Sequence, residues 1–314
     1  MANRFPDFII GGAPKCGTTS LHFILNQHPA IGLPDEEIHY FDADDPVTHP
    51  DFFFHKDGEL IHYDNRAENG ELLSHYAACF APFADLPLVG EDSTTYLFSE
   101  VAPVRIRDRL PEVRLVFMLR NPVARAYSQY WHMVKSGRTI CTFEQAIHTH
   151  LAIILGSTYL PHLKRYYDIF GSDRVKVVLF EDFIANNQAA IDGVTDFLGT
   201  SRMEVRDEAS WFNKTYYPTS LTGQLALNRV GRKVVAWRYG NHLGSRRGPG
   251  VGLRQKLHHL WFTRVNKILL KAERPPPMRE STRDYLSDHL SRRNDGLSEL
   301  LGRDLAALWP GFDG

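Results

Sequence analysis

Apolar residues along this chain gather into short runs set between helical patterns. Phe8-Ile9-Ile10 is one such run, halted by Gly11-Gly12, and beyond Gly17 the residues Leu21, Ile24 and Leu25 recur at helical spacing. The pattern predicts a strand, a glycine loop and a helix. Residues 115–119 and 175–180 form two more apolar runs, each followed by a helix-like stretch, and Leu88-Val89 marks a weaker strand. Strands that are apolar on both faces and alternate with helices imply a parallel sheet covered on both sides. The predicted fold class is α/β, a three-layer arrangement with a central parallel sheet. Residues 42–71, rich in His, Asp, Pro and Phe without clear periodicity, predict a loop insertion. Arg274-Pro275-Pro276-Pro277 breaks the chain, after which Tyr285, Leu286, Leu290, Leu297, Leu300 and Leu301 predict closing helices that end near Trp309.

Composition adds bounds. With 314 residues, 43% hydrophobic and 23% charged, the chain has the make-up of a soluble globular protein, read as one domain over 1–314. A formal net charge of −1 gives no overall pull toward nucleic acid, so any anion must be held by local clusters of Lys and Arg. The largest local asymmetry is 209–272, which carries twelve Lys and Arg and no Asp or Glu, with a glycine-rich centre around Arg246-Arg247 suited to a mobile flap. Cys16, Cys79 and Cys141 are odd in number and show neither a CxxC pair nor zinc-ligand spacing. They predict a reducing, cytoplasmic setting, and the absence of a long apolar run predicts no membrane span.

The chemistry concentrates in Gly12-Ala13-Pro14-Lys15-Cys16-Gly17-Thr18-Thr19-Ser20, between the first strand and the first helix. Backbone N–H groups and the positive end of a helix dipole converge on an anion at such a junction. In a nucleotide-hydrolysing phosphate loop the lysine directly follows the second glycine. Here it precedes Gly17 by two places, which argues against an ordinary kinase using ATP and magnesium.

Pro14-Lys15-x-Gly17-Thr18-Thr19-x-Leu21 resembles the 5′-phosphosulfate loop of sulfotransferases that use 3′-phosphoadenosine 5′-phosphosulfate (PAPS). Arg120-Asn121-Pro122-x-x-Arg125-Ala126-x-Ser128 is similar to that family's 3′-phosphate element. An Arg fork and a hydroxyl suit a dianionic phosphate. The resemblance implies a P-loop-like fold, PAPS as donor and 3′-phosphoadenosine 5′-phosphate (PAP) as product. Lys15, Cys16, Gly17, Thr18, Thr19 and Ser20 would grip the 5′-phosphate, Arg120 and Ser128 the 3′-phosphate, and no metal is expected.

Glu36-Glu37-Ile38-His39-Tyr40-Phe41 resembles the Lys-Glu-x-His-Phe-Phe element of the heparan-type branch, which aligns Glu37 with the catalytic glutamate. The expected roles are Glu37 as general base, Lys15 at the bridging oxygen and His39 as an orienting group or the base itself. In an extended segment Glu37 and His39 point to one side. Two departures stand out: Glu36 and Asp92 occupy positions where that branch has lysines, which argues against a heparan-like acceptor. The acceptor is expected to be a small molecule or a glycan, sulfated on a hydroxyl or amine. Rival readings are a magnesium-dependent kinase and a nucleotide-binding module without turnover.

Overall fold

The computed structural model describes residues 4–56, 58–61, 70–205, 216–240 and 260–312. Its centre is β1 (Phe8–Gly12), buried at all five positions. Around it stand β2 (Ile31–Gly32), β5 (Leu88–Asp92), β6 (Arg114–Leu119) and β7 (Val175–Leu179), in the order β2-β5-β1-β6-β7. Every pairing in this sheet is parallel, with Phe8 opposite both Gly90 and Arg114. The sheet and its flanking helices form the expected α/β architecture. The run read as 175–180 ends one residue earlier, because Phe180 opens the helix Phe180–Ala185.

Because β1 lies between β5 and β6, the carboxyl ends of three neighbouring strands fall side by side. Chain leaves those ends as the loop into α1 (Thr18–Leu25), the run Ser93-Thr94-Thr95, and the junction into α4 (Pro122–Lys135). Crevices at the carboxyl ends of parallel strands are where α/β proteins place ligands.

Two cores hold this arrangement. The larger joins the sheet to its helices and takes in Phe41, Tyr159, Tyr166 and Trp309. The smaller packs Tyr130 and Trp131 of α4 against Phe143, Leu225, Leu286 and Leu290. Trp131 and Phe41 are core side chains at 3% and 2% exposure.

The stretch 42–71 contains a 3-10 turn, Pro50–Phe52, and a hairpin of β3 (Phe54–Lys56) with β4 (Glu59–Ile61). Within 209–272, β8 (Tyr217–Pro218) pairs with β9 (Leu270–Ala272), and the buried side chain of Asn228 bonds to the Val134 and Thr139 carbonyls at 2.9 and 2.8 Å. Arg246-Arg247 lies outside the described residues. The expected closing helices are Glu280–Arg293, Leu297–Leu301 and Leu305–Leu308. Among the described residues, no helix is long and apolar enough to cross a membrane.

Candidate active site

The loop after β1 is shaped for close approach. Gly17 has φ +95°, and a Cβ there would lie 2.8 Å from the Phe180 ring, so only glycine fits. Lys15 also takes a left-handed conformation, φ 72°. The first-turn N–H groups of α1, those of Thr18 and Thr19 among them, lack intrahelical acceptors and form the positive end of its dipole. Thr18 is buried, Thr19 exposed and Ser20 half-buried. Cys16 departs from its expected role as a ligand: its N–H donates to the Ala13 carbonyl at 3.2 Å, and its thiol is fully buried beside Tyr159 Oη at 3.9 Å. Burial pushes that thiol up to about 11, so it stays protonated.

Arg125 fixes the loop from below. It is fully buried, donating from Nε to the Pro14 carbonyl at 2.9 Å and from one terminal nitrogen to the Ala152 and Ile153 carbonyls at 2.7 and 3.2 Å. Arg120 ends the strand side of the junction. Its guanidinium reaches the Lys15 carbonyl at 3.5 Å and lies 4.7 Å over the Phe180 ring. Tyr159 donates to the Arg120 carbonyl at 2.8 Å, and Glu181 accepts from the Asn121 N–H at 3.0 Å and from Trp309 Nε1 at 2.8 Å. Asn121 caps α4 by accepting from the Val123 and Ala124 N–H groups, both at 3.0 Å. Ser128, half-buried, follows Arg125 by three residues on a neighbouring row of α4.

Positive charge accumulates here, opposed in part by Glu37. The Lys15 ammonium is lowered to about 8 by burial first, then by the Lys135 and Arg125 charges, against a smaller pull from Glu37. His132 is driven well below its ordinary value by burial and then by Lys15, Arg138, Lys135 and Arg125.

Across the loop stands a second group, of carboxylates and imidazoles. His39 Nε2 meets Glu37 Oε2 at 3.1 Å, and the Thr94 hydroxyl donates to the same carboxylate at 3.1 and 3.3 Å. The two side chains share a side as expected, but not through extended backbone: His39 has φ 55°, a turn pinned by its N–H donating to Ser93 Oγ at 2.9 Å. Behind it, His39 Nδ1 and His49 Nε2 each lie 3.1 Å from Thr95 Oγ1, which donates to Asp42 Oδ2 at 2.7 Å. His49 Nε2 donates to Asp42 Oδ1 at 2.9 Å, and its ring stacks on Phe52 at 4.6 Å.

These contacts set the protons. Burial raises the Glu37 carboxyl, but the hydrogen bond and charge of His39 and the Thr94 hydroxyl outweigh it, so the net direction is down. Burial lowers His39, and Glu37, Asp42 and Glu91 reverse that shift to a net rise. Asp42 ends below its ordinary value because His49, His39 and Thr95 overcome its burial. The two shifts run in complementary directions, Glu37 toward the carboxylate and His39 toward the imidazolium. Beneath them, Glu91 is fully buried and accepts from Tyr76, Tyr96 and Ser93 at 2.6, 2.6 and 2.7 Å. Tyr96 Oη also accepts from the Phe41 N–H at 3.2 Å, so this hub fixes the backbone on which Glu37 and His39 stand.

His39, Asp42 and His49 have donor atoms within 4.8 Å of one another, a set that can also hold a metal ion. The sequence reading missed Asp42, His49, Thr94, Thr95 and the supporting arginine. Arg125 fell inside a motif quoted for other residues, while His49 lay in a stretch read only as an insertion.

Residues 6–204 match the family model described as the Sulfotransferase family. The chain belongs to the sulfotransferase family. Human bifunctional heparan sulfate N-deacetylase/N-sulfotransferase 2 is 30% identical over 220 residues, covering 63% of this chain and 22% of that protein. Mouse heparan sulfate glucosamine 3-O-sulfotransferase 6 is 26% identical over 221 residues, covering 68% of this chain and 57% of that one. The chain thus spans well under two thirds of these curated relatives. A solved sulfotransferase from Alicyclobacillus acidocaldarius superposes with TM-score 0.63 at 26% identity, covering 97% of this chain and 98% of that one. The chain therefore has the family's fold, matching that structure over 97% of its length, and is related to the heparan-type branch. The kinase reading loses its ground.

Proposed function

We propose that the protein moves a sulfuryl group from PAPS to a hydroxyl or amine of its acceptor and releases PAP. The observation that carries this reading is the cluster of Lys15, Lys135 and Arg125 at a glycine-bearing strand-to-helix loop, close to the Glu37 carboxyl that pairs with His39. One side suits a polyanionic donor. The other suits a proton acceptor.

Transfer between two oxygens, or from oxygen to nitrogen, asks for alignment, proton removal and neutralisation of the leaving phosphate. The N–H groups of Gly17, Thr18 and Thr19 and the Thr18 and Thr19 hydroxyls hold the 5′-phosphate, and Arg120 with Ser128 holds the 3′-phosphate. Glu37 accepts the acceptor's proton as the new bond to sulfur forms. The sulfur–oxygen bond to the phosphate breaks, and Lys15 meets the charge left on that oxygen. His39 keeps Glu37 ionised and oriented, with Thr95, Asp42 and His49 holding the imidazolium from behind. Three cysteines without disulfide partners support a reducing compartment.

Titration calorimetry with PAP and with adenosine 5′-phosphate tests the donor assignment. PAP is expected to bind far more tightly because Arg120 and Ser128 address only the 3′-phosphate. Equal affinities would remove the assignment. Turnover of radiolabelled PAPS separates an enzyme from a binding module.

A further inference from the structure

Behind the base, His39, Asp42 and His49 each offer one donor atom, all within 4.8 Å of one another. His49 Nε2 lies 2.9 Å from Asp42 Oδ1, and His39 Nδ1 lies 3.9 Å from that same oxygen. A fourth donor, Thr95 Oγ1, stands 3.1 Å from each of the two nitrogens and 2.7 Å from Asp42 Oδ2. Ligands about 2.0–2.1 Å from a tetrahedral zinc ion stand roughly 3.3 Å from one another, which is the scale of these separations.

The side chains are sheltered and aimed from outside. Asp42 is fully buried, and the side chains of His49 and His39 are 7% and 15% exposed. The other ring nitrogen of His39, Nε2, meets Glu37 Oε2 at 3.1 Å, the carboxylate–imidazole pairing that orients a metal-bound histidine. The Thr95 hydroxyl holds Asp42 Oδ2 and so leaves Oδ1 to the nitrogens, while the His49 ring lies flat on Phe52. His39 and Thr95 are only partly buried, which leaves an entry path from the side of the base.

We propose that His39, Asp42 and His49 form a binding site for one zinc ion, with the fourth coordination position on the Thr95 side. The ion takes the place of the protons that bridge these donors and leaves the Nε2–H of His39 on Glu37. Two imidazoles and one carboxylate suit Zn2+, whereas Mg2+ prefers octahedral oxygen ligands and keeps its waters. Bound there, the ion ties the stretch from His39 to His49 to the run after β5, and so fixes the turn beside Glu37. The site stands on its own side-chain geometry and does not depend on the identity of the sulfuryl donor.

Titration calorimetry of the chelator-stripped chain tests the site. ZnCl2 should bind at one equivalent with Kd at or below about one micromolar, and MgCl2 should give no saturable heat. His49→Ala and His49→Gln should each weaken zinc at least about hundredfold, since losing a ligand costs more than losing an outer partner. His75→Ala and His148→Ala change exposed histidines and should leave zinc binding as it is. If the His49 variants do not fold, Co2+ added to the unaltered chain gives a second reading. Intense visible bands of a four-coordinate ion are expected, and the weak bands of an octahedral one would overturn the site. Zinc that fails to bind, that survives in folded His49 variants, or that leaves with His75 or His148 would overturn it as well. PAP affinity measured on the same protein reports on the donor assignment separately, so the failure of one reading is not the failure of the other.

Discussion

The donor and acceptor sides of the site follow opposite electrostatic plans. Around Lys15, cations crowd one another and lower one another's proton affinity, with Glu37 the first of the opposing pulls on Lys15. Around Glu37, carboxylates and imidazoles alternate in one hydrogen-bonded chain from Glu37 through His39 and Thr95 to Asp42 and His49. Among the described residues, Asp92 Oδ1 is the buried oxygen there without a hydrogen-bond partner. The contrast teaches a division of labour. Charge on the donor side is supplied by the ligand, so binding completes the pocket. On the acceptor side the protein holds the proton in place before any substrate arrives, which is what a general base requires.

Substitutions on the two sides should therefore fail differently. The largest effect is expected from Glu37→Gln, which should lower turnover roughly 100- to 10,000-fold while leaving PAP affinity near wild type, as read by steady-state kinetics beside calorimetry. Lost PAP affinity in that variant would mean the two sides are not separate. Next, Arg120→Ala should weaken PAP by about 1.5–3 kcal/mol through loss of a charged hydrogen-bonding partner. An unchanged constant would take Arg120 out of the donor pocket. Arg125→Met removes the fully buried support of the Pro14, Ala152 and Ile153 carbonyls. It should cost about 1–3 kcal/mol of stability in denaturant unfolding and weaken PAP without direct contact.

The smallest expected effect is a shift in pH dependence. With His39 present, burial of Glu37 is overcome and its carboxyl lies below 4.5. His39→Asn leaves burial less opposed, so the acid limb of the turnover profile should move to higher pH. An acid limb that stays in place would detach His39 from Glu37. The pair's contribution to stability has two edges. It is lost on the acid side as Glu37 protonates through its lowered value, and on the alkaline side as His39 deprotonates through its raised one.

The same division explains what the sequence made legible. The donor loop is a run of consecutive residues, and its anion site is largely backbone, so Gly12 to Ser20 could be read as a unit. Strands β1, β6 and β7 were visible because both their faces are apolar. β2, only Ile31–Gly32, was too short to show a period. The acceptor network joins Glu37, His39, Asp42, His49, Thr94 and Thr95, brought together only when β5 lies beside β1. No local pattern announces such a set. Cys16 misled for a related reason, since its place in the motif says nothing about the direction of its side chain. Arg125 was quoted for its spacing, and only burial shows that it supports the loop.

The central claim is that the donor pocket is a cation cluster completed by its ligand, and proton linkage measures it most directly. Lys15 stands at about 8 without ligand, so near pH 8 roughly half of it is neutral. Anions placed against the ammonium raise its proton affinity. Calorimetry of PAP binding at pH 8, in two buffers of different ionisation enthalpy, should then show uptake of up to about half a proton, abolished in Lys15→Ala. Binding without proton uptake, or uptake that persists in that variant, would contradict the account.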